Sequence, residues 1–207
     1  MFKDSDHPHF GKPVGEDGRR LLEEMNVHHR YLSEWALSKI PPISPKRILD
    51  IGCGGGMLIS LLAERYPKAQ IFGVDISEES VNMTKNVNEG IVKAGRCHIS
   101  LDPVSDLPFP PGTFDIVTAF ETYFFWPDLE NDMKEAASVL RKNGYLVIVS
   151  ELYPHPRFDE RNNEAARQCG LRLRTNDEMV RLMKGCGLDV TVNVIEDKNW
   201  VAFVGKK

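Results

Sequence analysis

Cysteine is scarce in this chain, and its four residues, Cys53, Cys97, Cys169 and Cys186, form no C-x-x-C pair. That excludes a zinc-ligand spacing and a secreted disulfide framework. No long run of lysine and arginine occurs, and the formal net charge is −4, so bulk electrostatics supply no grip on a phosphate backbone. No stretch reaches the unbroken apolar length that a membrane span needs. The opening MFKDSDHPHFGKPVGEDG is polar and reads neither as a signal peptide nor as an anchor. Internal repeats and low-complexity tracts are missing. His7 and His9 have no accompanying ligands, so no metal is expected. What remains is a protein of reducing, cytoplasmic surroundings, without nucleic-acid or membrane partners and with no sign of its oligomeric state.

With 207 residues and 42% of them hydrophobic, one domain with a real core is expected. Leu21, Leu22, Met25, Leu32, Trp35 and Ala36 recur close to a helical period, in a run stopping at Ile40 before Pro41, Pro42 and Pro45. From Arg47 the pattern alternates. RILDIG, IFGVDI, FDIVTAF and YLVIVSEL read as strands buried on both faces, with a weaker strand over Cys97 to Leu101. Helices are expected over Met57–Arg65, over Glu78–Lys93 behind a Ser77 cap, and over a stripe of Leu129, Met133, Ala136, Ala137 and Leu140 ending at Asn143-Gly144. This rhythm specifies an α/β fold with a parallel sheet. Near the end, Thr175 and Glu178 have capping-box spacing, and Gly187 stops the helix they open. LDVTVNVIE and NWVAFVG follow with so short a link that only an antiparallel hairpin fits.

ILDIGCGGG, residues 48–56, follows a strand and precedes a helix, the context that gives a glycine motif meaning. Gly52 and Gly54 let the chain turn sharply and approach a ligand, and a helix starting near Gly56 presents free N–H groups to an anionic or carboxylate-bearing cofactor. Glycine packing alone is the other reading of this turn. Asp75, ending the second strand, sits where a carboxylate accepts both hydroxyls of a ribose, or else caps the next helix. The spacing Gly52-x-Gly54-x-Gly56 and the terminal hairpin both depart from a dinucleotide fold.

At these residues the chain resembles the class I S-adenosylmethionine-dependent methyltransferases, of the small-molecule type with methyltransferase domain 11 or 25. The likeness runs from about Arg47 to Val204. LDIGCGGG is similar to the family's first cofactor motif, GVDIS to its acidic ribose motif, VSDLPFPPGTFDIVTAF to the stretch from adenine loop to fourth strand, and EAASVLRKNGYLVIVSE to the helix, turn and fifth strand. A narrower likeness, to bacterial and archaeal members, rests on Met25, Asn26, His29, Leu32 and Trp35, and on Thr118 to Thr122 with Phe125, Trp126 and Pro127. The resemblance implies a Rossmann-like, doubly wound, seven-stranded sheet, mostly parallel with an antiparallel C-terminal strand. It implies an S-adenosylmethionine domain over 46–207 behind an N-terminal extension and helical cap over 1–45, and S-adenosylhomocysteine as product. Gly52, Cys53 and Gly54 would line the methionine portion and Gly56 would belong to the same cofactor site, with Asp50 holding the turn or receiving the amino group. Asp75 would take the ribose, Ile76 would pack on the adenine, Val104 and Ser105 would meet its edge, and Phe120 would stand near the sulfonium. Two departures stand out: Pro103 occupies a place often acidic, with Asp102 one residue earlier, and Asn143-Gly144 replaces Pro-Gly.

Methyl transfer to a small-molecule acceptor needs a base only if the acceptor arrives protonated. Glu121 is the candidate base or acceptor anchor, or a structural carboxylate bonding loop N–H groups. His29 is the second candidate, or a packed helix histidine. Tyr123, Phe124, Phe125 and Trp126 cannot all face one core, so some should line a cleft. The arginine-rich segment 154–174 reads as a solvated helix and loop, or as a lid for an anionic substrate. The tetrad Ala119-Phe120-Glu121-Thr122 lacks the Asn/Asp-Pro-Pro-aromatic pattern used on base amines. A non-catalytic cofactor-binding module and an NAD-linked oxidoreductase are the competing readings.

Overall fold

The computed structural model describes residues 10–207, so His7 and His9 lie outside the described residues. Among the described residues, seven strands form one sheet: β1 (Arg47–Ile51), β2 (Gln70–Asp75), β3 (Cys97–Leu101), β4 (Phe114–Phe120), β5 (Leu140–Ser150), β6 (Asp189–Ile195) and β7 (Trp200–Lys206). Their order is β3-β2-β1-β4-β5-β7-β6, parallel from β3 to β5, with β7 antiparallel to both of its neighbours. The expected mostly parallel sheet with a reversed terminal strand is what forms.

The helices are α1 (Gly15–His28), α2 (Arg30–Leu37), α3 (Met57–Arg65), α4 (Glu78–Val87), α5 (Glu89–Lys93), α6 (Leu129–Ser138), α7 (Asp159–Cys169) and α8 (Asn176–Gly185). Two buried layers sandwich the sheet, because side chains alternate faces along each strand. Leu49, Ile51, Val117 and Ala119 enter one layer with α6 and α8, while Ile48, Ile116, Val147 and Val149 enter the other with α2 and α3. Leu49 and Ile116 are wholly buried, so truncating either to alanine should cost about 2–5 kcal/mol.

Expected caps are present. The Ser77 hydroxyl accepts from the Ser80 N–H at 3.2 Å, and Thr175 and Glu178 close a reciprocal capping box. Three helices end differently from the expectation. The run over 21–36 breaks at His29 (φ −84°, ψ 0°) with no glycine or proline there to signal it, and both flanking imidazoles turn to one carboxylate. The helix over 78–93 divides at Asn88, whose side chain leaves the helical path to donate to the Gly56 carbonyl at 2.9 Å. The helix over 129–143 stops at Ser138. Leu140 already pairs with Phe114, and Asn143 takes a left-handed φ of 63° at a bulge, where Gly144 backs onto the Asp115 carbonyl. Local propensity lost there to sheet pairing.

Candidate active site

The C-terminal ends of β1, β2 and β4 meet at one cavity, the crevice where open α/β sheets take their ligands. The β1–α3 turn makes its wall. Gly52 (φ 74°), Gly54 (φ 53°) and Gly56 (φ 84°) all adopt left-handed backbone. A Cβ on Gly52 would stand 2.4 Å from the Thr122 hydroxyl, so glycine is required there by packing as well as by φ. The Gly52 and Cys53 N–H groups donate to the Val74 carbonyl, and Gly54 N–H donates to Asp75 Oδ2 at 2.9 Å. At the start of α3 the expected free N–H groups are partly taken. Asn26 of α1 accepts from Met57 N–H at 3.3 Å and donates to the Gly55 carbonyl at 2.8 Å. Gly56 is also displaced from its expected role: it does not line the cavity, and its Cα backs onto Thr84. Its left-handed φ, which ends the turn and admits the close approach of α4, explains the residue without a ligand.

Asp50, Gly52, Cys53, Gly54, Asp75, Ile76, Val104, Ser105 and Phe120 do come together on the cavity, of about 180 Å³, together with Asp102 and Pro103. Asp75 serves two tasks at once. Its Oδ1 accepts from Ser77 N–H at 2.9 Å, the capping role, while a lone pair on each oxygen remains for another donor. Burial raises the Asp75 carboxyl above its usual range against the pull of the Gly54 and Ser77 bonds. Asp50 lies deeper. Burial pushes its carboxyl up to about 7, the Thr118 hydroxyl opposing the shift with a 2.7 Å bond and Asp75 adding to it. An ammonium group placed beside it would favour the ionised form. Ile76 is 44% exposed, an apolar side chain left to solvent beside the carboxylate where a flat ring would cover it. The cradle therefore fits an adenosine bearing an amino acid: glycine backbone, ribose acceptor, apolar platform and a buried acid.

A second cavity, of about 530 Å³, adjoins the first, and Phe10, Met25, His29, Glu121 and Phe125 line both. The aromatic row divides as its crowding required: Tyr123, Phe124 and Trp126 are buried, Trp126 bordering the first cavity and Phe124 the second, whereas the half-buried Phe125 lines both. Glu121 follows β4 with a φ of 53°, rare for a residue bearing a side chain. Its Oε1 accepts from Glu151 N–H at 2.6 Å, the loop-bonding role considered for it. Burial, then repulsion from Glu151, raises the Glu121 carboxyl well above its usual range. Burial opposes the charge on Glu151 as well, yet the imidazoles of His29 and His28 beside it hold its carboxyl below the usual range. His29 stands 3.6 Å from Glu151 Oε1.

Sequence reasoning missed Glu151 altogether and gave Asn26 and Thr122 no role. The signal was faint. Both Asn26 and Thr122 belong to the stretches that carried the narrower family likeness, and Glu151 merely follows the fifth strand. Segment 154–174 is mostly solvated, with Arg167 paired to Glu164 on the surface, but Arg161 turns inward to the Glu151 carbonyl and Asn199.

Residues 49–148 match the family described as a methyltransferase domain. A fatty-acid O-methyltransferase from Mycolicibacterium smegmatis is 27% identical over 91% of this chain and 66% of its own length. The chain spans about half to two thirds of the length of the curated relatives it matches. In fold it is similar to the methyltransferase solved with the Trm112 activator of Haloferax volcanii, with TM-score 0.81, 17% identity, and 90% and 93% of the two chains covered. It also resembles the geranyl diphosphate C-methyltransferase of Streptomyces coelicolor, solved with S-adenosyl-L-homocysteine, with TM-score 0.77, 14% identity, and 97% and 87% covered.

Proposed function

Because the chain belongs to the class I S-adenosylmethionine-dependent methyltransferases, we propose that it moves a methyl group from S-adenosylmethionine to a small-molecule acceptor by in-line displacement. One observation carries this reading: the glycine-and-aspartate cradle opens directly, past Phe120 and Glu121, into a larger and mostly apolar cavity. A cofactor in the first space would present its sulfonium at the junction, and an acceptor in the second would face it.

In this reading Asp75 accepts from the ribose hydroxyls, Ile76 covers one face of the adenine, Val104 and Ser105 border its edge, and Asp50 receives the amino group. Asp102 reaches the same cavity, so an acid stands at the adenine end despite Pro103. The reaction itself breaks the bond between methyl carbon and sulfur. Its electron pair stays on sulfur, giving S-adenosylhomocysteine, while the acceptor's lone pair forms the new bond. The chain's contribution is alignment, and well-oriented reactants gain on the order of 7–11 kcal/mol. In the same reading, without a bound metal ion, Glu121 or His29 would receive the proton of a protonated acceptor. The cavity's apolar walls support an acceptor with a hydrocarbon body, and the relatives named as O-methyltransferases support oxygen as its nucleophile.

Residues 46–207 would form the cofactor domain and 1–45 its cap. The Ser77 hydroxyl donates to the Pro13 carbonyl at 2.5 Å, and Asn26 latches α1 to the turn, which supports the capping role. A cytoplasmic setting agrees with four free cysteines. No helix among the described residues is long and apolar enough to cross a membrane. The test is S-adenosylhomocysteine formation with a panel of fatty acids, phenols and terpenoid alcohols. Turnover of one class supports the reading, and tight cofactor binding with silence across the panel would favour a non-catalytic binding module.

A further inference from the structure

The break after α1 brings together three side chains that neither the cofactor cradle nor the core accounts for. His28 closes α1, His29 occupies the break, and Glu151 directly follows β5. On a continuous helix, neighbouring residues point about 100° apart. Here both rings turn to the same carboxylate and meet edge-on, with centroids 5.0 Å apart. His28 Nε2 lies 2.9 and 3.1 Å from the two Glu151 oxygens, and His29 Nε2 lies 3.6 Å from Oε1, too long for a hydrogen bond. His29 is therefore aimed at Glu151 without bonding it.

We propose that His28, His29 and Glu151 bind one divalent transition-metal ion on the wall of the acceptor cavity, with open coordination positions for an oxygen of the acceptor. Nitrogen and oxygen ligands 2.0–2.2 Å from an ion stand about 3.4 Å apart at tetrahedral angles and about 2.9 Å apart at right angles. The observed N···O separations to Glu151, 2.9 and 3.1 Å from His28 and 3.6 Å from His29, fall in or just beyond that range, so small side-chain shifts bring the ligands onto an ion. The three ligand atoms lie within 4.8 Å of one another. Two imidazoles and one carboxylate select zinc-, cobalt- or nickel-like ions over magnesium, which prefers oxygen alone.

The surroundings hold the ligands in place. Glu151 N–H donates to Glu121 Oε1, and Arg161 Nη2 donates to the Glu151 carbonyl at 3.1 Å, so the backbone carrying the carboxylate is fixed from both sides. All three residues line the 530 Å³ cavity, and His29 also borders the cofactor space. An acceptor hydroxyl or carboxyl bound to the ion would lie at the junction where the methyl group is presented. Coordination lowers the pKa of a bound hydroxyl, which releases its proton to water, and His29 then acts as ligand and not as base. The ion site is independent of the methyl-transfer reading; its use in positioning an acceptor rests on that reading.

The test uses tag-free protein stripped with EDTA, without S-adenosylmethionine. Zinc chloride is titrated by calorimetry and cobalt chloride by visible absorption. Saturable uptake of one ion per chain, weakened at least about tenfold in both His28→Ala and Glu151→Gln, supports the site. No saturable uptake, or uptake unchanged in the variants, overturns it. If Glu151→Gln fails to fold by circular dichroism, His28→Ala decides alone, since that side chain is 64% exposed and holds no core contact. Titration of S-adenosylmethionine into the same stripped samples reports separately on the cofactor cradle. A metal-free protein that binds cofactor refutes only the ion site.

Discussion

Around the β1–α3 turn, backbone meets backbone: glycine N–H groups close onto the Val74 carbonyl and the Asp75 carboxylate, and the side chains that intrude are small. At the ends of β4 and β5, ionisable side chains from distant parts of the chain meet one another instead. His28 and His29, Glu121, Glu151 and Arg161 converge there beside an apolar cavity. The first arrangement suits a ligand of fixed shape, since a glycine wall leaves little to adjust. The second offers charge, proton exchange and room, which suits binding and positioning a second molecule.

The comparison breaks most readily at Gly52. Gly52→Ala should lower the melting temperature by roughly 5–10 °C, because it adds left-handed strain to a collision with Thr122. A thermal melt within about 1 °C of the parent would show that the cradle is not rigid. Next is Asp75→Asn, which keeps the shape and loses the charge. Affinity for S-adenosylmethionine should fall about 10–100-fold by calorimetry, as charge-assisted bonds to the ribose weaken, and unchanged affinity would remove the ribose assignment.

Asp50 sharpens the contrast through pH. Its folded value, about 7, lies above the ordinary 3.8, so the cofactor-free protein loses stability as pH rises between those values. Asp50→Asn should therefore raise the melting temperature at pH 8 by at least about 2–4 °C, with little change near pH 4. In the parent, cofactor affinity should fall as pH drops below about 7, since the protonated acid cannot balance an ammonium. A flat profile from about pH 8 to 6 would place the amino group elsewhere. The smallest effect expected is that of Asn26→Ala, about 1–2 kcal/mol from two lost hydrogen bonds, read as faster hydrogen exchange in α1 with β5 unaffected.

The same contrast explains what could be read from the chain alone. Gly52, Gly54 and Asp75 are legible because strand, turn and helix succeed one another locally, and only glycine meets the backbone demands of such a turn. The reversed β7 was legible from the shortness of its link to β6. Glu151 was not, because its meaning depends on His28 and His29, more than a hundred positions away, and on a helix break that no proline or glycine marks. The early end of α6 was hidden for a related reason: Leu140 continues a helical stripe in sequence, yet pairs with Phe114 in the sheet. Gly56 shows the opposite error, a motif glycine whose place is explained by packing on Thr84.

The central claim is that the cavity at the ends of β1, β2 and β4 holds S-adenosylmethionine. Calorimetric titration of the wild-type chain tests it most directly, with S-adenosylmethionine, S-adenosylhomocysteine and NAD as separate injectants. The account predicts saturable binding of one S-adenosylmethionine and one S-adenosylhomocysteine per chain, and no heat from NAD. No saturable binding of either adenosyl compound, or preference for NAD, would contradict it.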